Sequence, residues 1–355
     1  MKILIVSGSK GKFFHLKAFG EALKKRNIEY RLIKESEYGK GFPSKDFKSW
    51  FSSDRKFKKL IGEFEPDCVF IDRQARVGVH TINAKIPLFV LLRGHYWSEV
   101  EWAKKTIVKN PITRLVLQFR NNMAEKCFSQ STAIFPICRY LVDIVKDHHP
   151  NQKTHVFFEG IDSSNWYSTD SSKLKHPCIG LLQDANWWGK TKEMLVLKKA
   201  LKEFPEITFY WVGDGTYREK ITSELKQFKN FEWLSRMSYP DEVRDYLSEI
   251  DIYALITGMD TAPLTLKEAQ LMKKPVIATD VGGVNEMMID KKTGFLIKEG
   301  NAEDLVEKIK LLNSDKAMAK EMGIHGREFV QETFNWDIIA EKFLASIGSY
   351  IKNKN

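Results

Sequence analysis

Between Gly258 and Ile297 the chain reads GMDTAPLTLKEAQLMKKPVIATDVGGVNEMMIDKKTGFLI, and few architectures accommodate that order of residues. Asp260 stands eight positions before Glu268. Thr261-Ala-Pro-Leu264 reads as a loop entering a helix, with Pro263 in the first turn, where a missing N–H costs nothing. The helix ends at Lys274, Pro275-Val-Ile-Ala-Thr279 reads as a buried strand, and Gly282-Gly283 marks a tight turn or a close backbone approach to a ligand. A helix start at the carboxyl end of a parallel strand offers unpaired N–H groups and the positive end of a dipole, which suits a diphosphate. A carboxylate before the helix and another inside it can each accept hydrogen bonds from sugar hydroxyls. From the residues alone, an ordinary loop–helix–strand unit with surface acids remains an open alternative.

The rest of the chain repeats the alternation. Lys2–Val6, Glu29–Ile33, Cys68–Asp72, Ile86–Leu92, Thr132–Phe135 and Thr154–Phe158 read as strands of a first block. Pro177–Leu182, Ile207–Val212 and Asp251–Leu255 lead into the second, and helical patterns lie between them. Two successive blocks of this kind predict an α/β chain of two doubly wound parallel-sheet, Rossmann-like domains facing a cleft. The expected boundaries are 1–165 and 166–335, with a last helix at 336–355 returning to the first domain. At 355 residues and 43% hydrophobic, each block has material for its own core. No apolar run approaches the roughly 18 residues of a membrane span. The four cysteines (Cys68, Cys127, Cys138, Cys178) lack CxxC or metal spacing, which predicts free thiols and a cytoplasmic protein.

Charge is uneven. Residues 1–160 carry 29 Lys and Arg against 16 Asp and Glu, an excess of +13, and the remainder is at −3. A basic half implies an anionic partner on that half. Two stretches there interleave aromatics and cations, Phe47–Leu60 and Trp102–Phe119. Each reads either as a helix on an anionic membrane surface or as a packed helix with a solvated basic face. Ser7–Lys12, with Gly8 and Gly11, is a strand-to-helix turn of phosphate-binding type but neither a G-x-G-x-x-G nor a Walker A. Arg93-Gly-His95 ends an apolar strand, where α/β proteins place their sites. In the second block, Gln183–Lys192 leads from strand to helix and carries Lys190 and Lys192. Gly213-Asp-Gly215 follows the next strand.

Here the sequence resembles the GT-B retaining glycosyltransferases of family 4. The likeness rests on Asp260, Glu268-Ala269, Pro275-Val-Ile277, Gly282-Gly283, Glu286 and Thr293-Gly-Phe-Leu296. It is extended by Phe158-Glu-Gly-Ile-Asp162, by Lys192 eight residues before Ala200, by Phe231–Met237 and by Phe334-Asn-Trp-Asp337. The resemblance implies transfer of a sugar from a nucleotide-sugar donor to a glycan or lipid-linked acceptor. His95, Lys192, Asp260 and Glu268 would be catalytic. Gly11, Lys190, Gly213, Arg236, Met237 and Thr261, Ala262, Pro263, Leu264 and Thr265 would line the donor. No metal or other cofactor is expected, since no DxD ends a strand, and no nucleic acid is expected as partner. Three departures stand out: Asp260 where the family has Glu, Glu159 where it has Asn, and Leu181 where it has Arg. A GT-B nucleotide-sugar epimerase, or a basic binding protein with a vestigial donor site, is the alternative function.

Overall fold

The runs of Val, Ile, Leu and Phe become strands because parallel sheets bury both faces, so an uninterrupted apolar segment fits them. The computed structural model describes residues 1–8, 12–39, 54–106, 108, 110–170 and 172–351. They divide into two units, Met1–Gly160 with Trp336–Asn355, and Ile161–Asn335. Gly11 and residues 47–53 of the first aromatic stretch lie outside the described residues.

The first unit holds β1 (Lys2–Ser7), β2 (Glu29–Lys34), β3 (Cys68–Ile71), β4 (Leu88–Leu92) and β5 (Ala133–Pro136). All pair in parallel in the order β2-β1-β3-β4-β5. The topological switch therefore lies between β1 and β3. Thr154–Phe158, expected as a strand, is not one. It makes a single bridge, Thr154 to Ile134, and continues as irregular chain bonded to β5 through His155 N–H to Ile134 O and Phe157 N–H to Pro136 O. The helix Trp336–Ile347 belongs to this unit. Phe343 sits with its ring centroid 4.9 Å from Phe70 and 5.2 Å from both Phe19 and Phe135. Gly160 leaves room for Trp336: a Cβ there would lie 2.4 Å from the indole.

The two basic aromatic stretches fare differently. The helix Arg55–Phe64 buries Phe57, Leu60 and Phe64 and exposes its lysines. Over these described residues the apolar face is committed to the core and the basic face is solvated, as in the packed-helix reading. The second stretch breaks at Pro111, as its sequence implies, into helices Tyr96–Thr106 and Pro111–Gln130.

The second unit holds β6 (Cys178–Leu182), β7 (Thr208–Val212), β8 (Phe231–Trp233), β9 (Ile252–Leu255), β10 (Val276–Thr279) and β11 (Gly294–Ile297). The order β11-β10-β9-β6-β7-β8, again all parallel, puts the switch between β6 and β9. Ile179, Leu181, Phe209, Trp211, Ile252 and Ile277 form one buried cluster with the covering helices. Two local expectations change. The chain turns helical at Trp188, so Lys190 lies in a one-turn helix and Lys192 opens a 3-10 segment, rather than both lying in a loop. Pro263 is the residue preceding the helix Leu264–Leu271, with ψ 116°, and not part of its first turn.

Truncation of Phe343 tests how far the first unit depends on its returning helix. Phe343→Ala empties a site that is 2% exposed. Chemical denaturation should show a loss of about 3–5 kcal/mol, the usual cost of removing a buried Phe side chain.

Candidate functional site

In a doubly wound sheet the strands on either side of the switch diverge at their carboxyl ends and leave a crevice there. In the second unit that crevice is bounded by the segments following β6 and β9. Gln183, at the end of β6, donates from Nε2 to the carbonyl of Ile256 at 2.8 Å and so bridges the diverging strands. Further along, Gly258 N–H donates to the Lys190 carbonyl at 3.0 Å, and a Cβ on Gly258 would lie 2.4 Å from the Gly189 carbonyl oxygen. Only a glycine lets these two segments touch backbone to backbone. That contact places Lys190 Nζ 2.7 Å from Asp260 Oδ2, with both side chains mostly buried.

Asp260 is held from three sides. Its Oδ1 accepts from Thr261 N at 2.9 Å, Oδ2 takes the lysine, and its carbonyl accepts from Gly283 N at 3.2 Å. The Gly282-Gly283 turn, with Gly282 at φ 56°, thus serves the loop that carries Asp260. Burial alone would lower the Lys190 pKa. The charge and hydrogen bond of Asp260, with Asp184 nearby, outweigh it and hold the ammonium above its usual value.

Glu268 lies in the second turn of the following helix and is 1% exposed. Tyr253, buried in β9, connects the two acids. Its hydroxyl bonds to Thr265 Oγ1 at 2.7 Å and to the Leu182 carbonyl at 3.3 Å. Burial raises its pKa, the Thr265 bond opposes this, and the Glu268 and Asp260 carboxylates raise it further, which puts both acids within electrostatic reach of one hydroxyl. Thr261, Ala262 and Leu264 are partly exposed around the helix start, and Pro263 is buried. Lys192 is exposed. On the β7 side, Gly213 N–H donates to the Ser235 carbonyl at 3.0 Å. Arg236 Nε stands 3.9 Å from Asp214 Oδ2, so Gly213 and Arg236 do share a corner. The side chains of Arg236 and Met237 also line a separate hollow of about 380 Å³ with Glu232 and Tyr246.

The switch of the first unit carries a second cluster, which the sequence reading missed. Arg93, at the end of β4, donates from Nε to Asp72 Oδ1 at 2.6 Å and pairs through Nη1 with Glu159 Oε2 at 2.5 Å. Glu159 also faces Lys12 Nζ at 3.6 Å and His15 Nδ1 at 4.0 Å. Burial disfavours the charge on Arg93, but the two carboxylates more than compensate. The Glu159 that departs from the family pattern is therefore the counter-ion of Arg93. A pocket of about 280 Å³ opens here between Gly8, Lys12, Arg73, Arg93, Tyr96 and Glu99. His95 stands beside it in sequence. Its Nδ1 accepts from Ser98 N at 3.3 Å, so a neutral ring carries its proton on Nε2. Burial and the neighbouring His148 hold His95 below the ordinary imidazole pKa.

Two outcomes follow from these pairs. Arg93→Met leaves Asp72 and Glu159 buried around an apolar side chain, and unfolding measurements should show a loss of about 3–5 kcal/mol. A double-mutant cycle on Lys190→Ala and Asp260→Asn, read by thermal unfolding, should return a coupling of about 0.5–3 kcal/mol, as for residues in direct contact. Strict additivity would mean that the pair contributes nothing in solution.

Comparison with known proteins bears on the second unit and on the fold. Residues 188–329 match the family of glycosyl transferases group 1. An uncharacterised glycosyltransferase of Methanocaldococcus jannaschii is 31% identical over 211 residues, 59% of this chain and 57% of that protein. The chain spans about half the length of the curated relatives it matches. Among solved structures, a sucrose-phosphate synthase of Thermosynechococcus elongatus superposes with a TM-score of 0.74 at 14% identity, covering 99% of both chains. The Anabaena protein HepE in complex with UDP-glucose superposes with 0.69 at 15% identity, covering 98% of this chain and 100% of that one. These likenesses establish the fold. The chain has the GT-B fold, and residues 188–329 of its second unit match the group 1 glycosyltransferases.

Proposed function

We propose that the chain is a retaining glycosyltransferase that moves a sugar from a nucleotide-sugar donor to a glycan or lipid-linked acceptor, in the manner of family 4. The observation that carries this reading is the convergence of Lys190, Asp260 and the start of the helix bearing Glu268 at the carboxyl ends of β6 and β9. A neighbour of the same fold was solved with UDP-glucose, which supports a nucleotide-sugar donor.

In this reading Asp260, oriented by Lys190, accepts hydrogen bonds from hydroxyls of the donor sugar, and Glu268 binds the ribose. Lys192 and the amides of residues 264–266 face the diphosphate, whose charge grows as it leaves. The acceptor hydroxyl oxygen forms a bond to the anomeric carbon as the bond from that carbon to the phosphate oxygen breaks. Attack comes from the face the phosphate leaves, and the hydroxyl proton passes to the departing phosphate oxygen. The chain's own contribution is orientation and charge stabilisation. His95 supplies a neutral N–H donor on the acceptor-binding unit. An anionic membrane surface completes the set of partners.

The test is turnover with a panel of nucleotide sugars, preceded by thermal shifts with nucleoside diphosphates. Lys192→Ala should lower turnover about 10²–10³-fold, the typical loss for one preorganised charge on a developing anion. Glu268→Ala should weaken donor binding by about 1.5–3 kcal/mol in calorimetry while the protein stays folded. Because the His95 pKa is lowered, its neutral form persists below the ordinary value of about 6.5. Activity should therefore hold across pH 7 and fall only on the acid side of that value, and His95→Gln should remove this acid limb. No stabilisation by any nucleoside diphosphate would refute the donor assignment.

A further inference from the structure

The helix Pro111–Gln130 is built in two halves. From Ala124 onward it buries Ala124, Cys127 and Phe128. From Pro111 to Met123 no side chain is buried. Ile112 is 76% exposed, Leu115 53% and Phe119 42%. Spacings of three and four residues put these side chains on one stripe with Val116 and Met123. Single exposed hydrophobics are ordinary, but a stripe across three turns of one helix marks an interaction surface.

Capping holds the start of this half. Asn110 Oδ1 accepts from Thr113 N at 2.9 Å, Thr113 Oγ1 accepts from Asn110 N at 3.3 Å, and Pro111 occupies the first turn. Further along, Val116, Leu117, Asn121 and Met123 are half-buried, and Asn121 Oδ1 accepts from the Tyr96 hydroxyl at 3.1 Å.

The charge around the stripe identifies what covers it. From Trp102 to Ala124 the sequence has five cations, Lys104, Lys105, Lys109, Arg114 and Arg120, and no acid. Lys104, Lys105, Arg114 and Arg120 are exposed. Lys104 pairs with Glu101, itself exposed, at 2.5 Å. A second copy of this surface would bring cations against cations. A bilayer with anionic headgroups meets both requirements: phosphates for the cations and an acyl boundary for Ile112, Leu115 and Phe119.

We infer that the first half of the helix Pro111–Gln130 is a membrane-docking element that lies on anionic lipid through Ile112, Leu115 and Phe119. The inference deepens the membrane part of the proposed function and rests on that part alone. Its test requires neither donor nor transfer, so it can fail while the transfer chemistry stands. The structure also separates this element from the helix Arg55–Phe64, which carries four cations (Arg55, Lys56, Lys58 and Lys59) but an inward apolar face.

The experiment is co-sedimentation of the full chain with phosphatidylcholine vesicles, with and without phosphatidylglycerol, at low and high salt. Recovery is expected only with phosphatidylglycerol and should fall as salt rises. Ile112→Ser, Leu115→Ser and Phe119→Ser together should weaken partitioning by about tenfold or more. Arg114→Gln with Arg120→Gln should weaken it at low salt. Lys56→Gln, Lys58→Gln and Lys59→Gln together should weaken it less than either set. Circular dichroism and unfolding curves confirm that each variant is folded, and the charge variants carry the test should the serine variant lose structure. Equal recovery on neutral and anionic vesicles, no recovery at low salt, or unchanged binding by the folded serine variant would each overturn the inference. Light scattering that shows a dimer dissolved by the serine changes would overturn it in favour of self-association. Preferential retention on RNA would do so in favour of nucleic acid.

Discussion

The backbone contact between Gly189-Lys190 and Gly258 is the constraint on which the candidate donor site depends. Two loops that end neighbouring strands would ordinarily diverge. Here one lacks a side chain at the point of closest approach, a backbone hydrogen bond joins them, and a lysine from one reaches a carboxylate on the other. The Coulomb attraction of such a pair is largely offset by the desolvation of both ions. Its consequence is therefore orientation more than stability. Asp260 is aimed, with one carboxylate oxygen on Lys190 and the other accepting from the Thr261 amide.

This arrangement gives a physical sense to two departures from the family pattern. A loop of the family carries an Arg and a Lys toward phosphate, whereas here Leu181 takes the place of the Arg. One nearby lysine, Lys190, is occupied by the acid that is itself one methylene shorter than usual. The shorter carboxylate is held by Lys190 at 2.7 Å, so in the proposed function that cation is shared between Asp260 and the donor. The first unit follows similar logic. Arg93 is not a spare cation at the end of β4. It joins Asp72 to Glu159, and the loss of either carboxylate would leave a buried charge unbalanced.

The parallel architecture was legible in the sequence because strands buried on both faces leave continuous apolar runs, and β1, β4, β7 and β9 are such runs. The acids of the Asp260–Glu268 segment were legible for the same reason: their helix follows one of those strands directly. What the sequence concealed was long-range pairing. Asp72, Arg93 and Glu159 meet from three distant places, and nothing local to any of them announces the others. Tyr253 was hidden differently. In a strand of Ile, Ala and Leu a tyrosine reads as core, and only the structure reveals its hydroxyl bonds to Thr265, in the helix that bears Glu268, and to Leu182. Pro263 shows how a one-residue shift defeats a propensity argument, since proline is as compatible with the position before a helix as with its first turn.

The two basic aromatic stretches make the same point about surfaces. Each is amphipathic and rich in cations, and hydrophobic periodicity treats them alike. Their difference lies in what each helix rests on. Arg55–Phe64 turns its apolar residues Phe57, Leu60 and Phe64 inward. Pro111–Gln130 is anchored by its second half, while caps at Asn110 and Thr113 extend it into solvent. Apolar residues left exposed on such a helix add little to its stability, because short helices draw most of their stability from packing. The stripe Ile112–Leu115–Phe119 is exposed on the described unit, and the acid-free run from Trp102 to Ala124 around it is the charge pattern that the inferred anionic surface would complement.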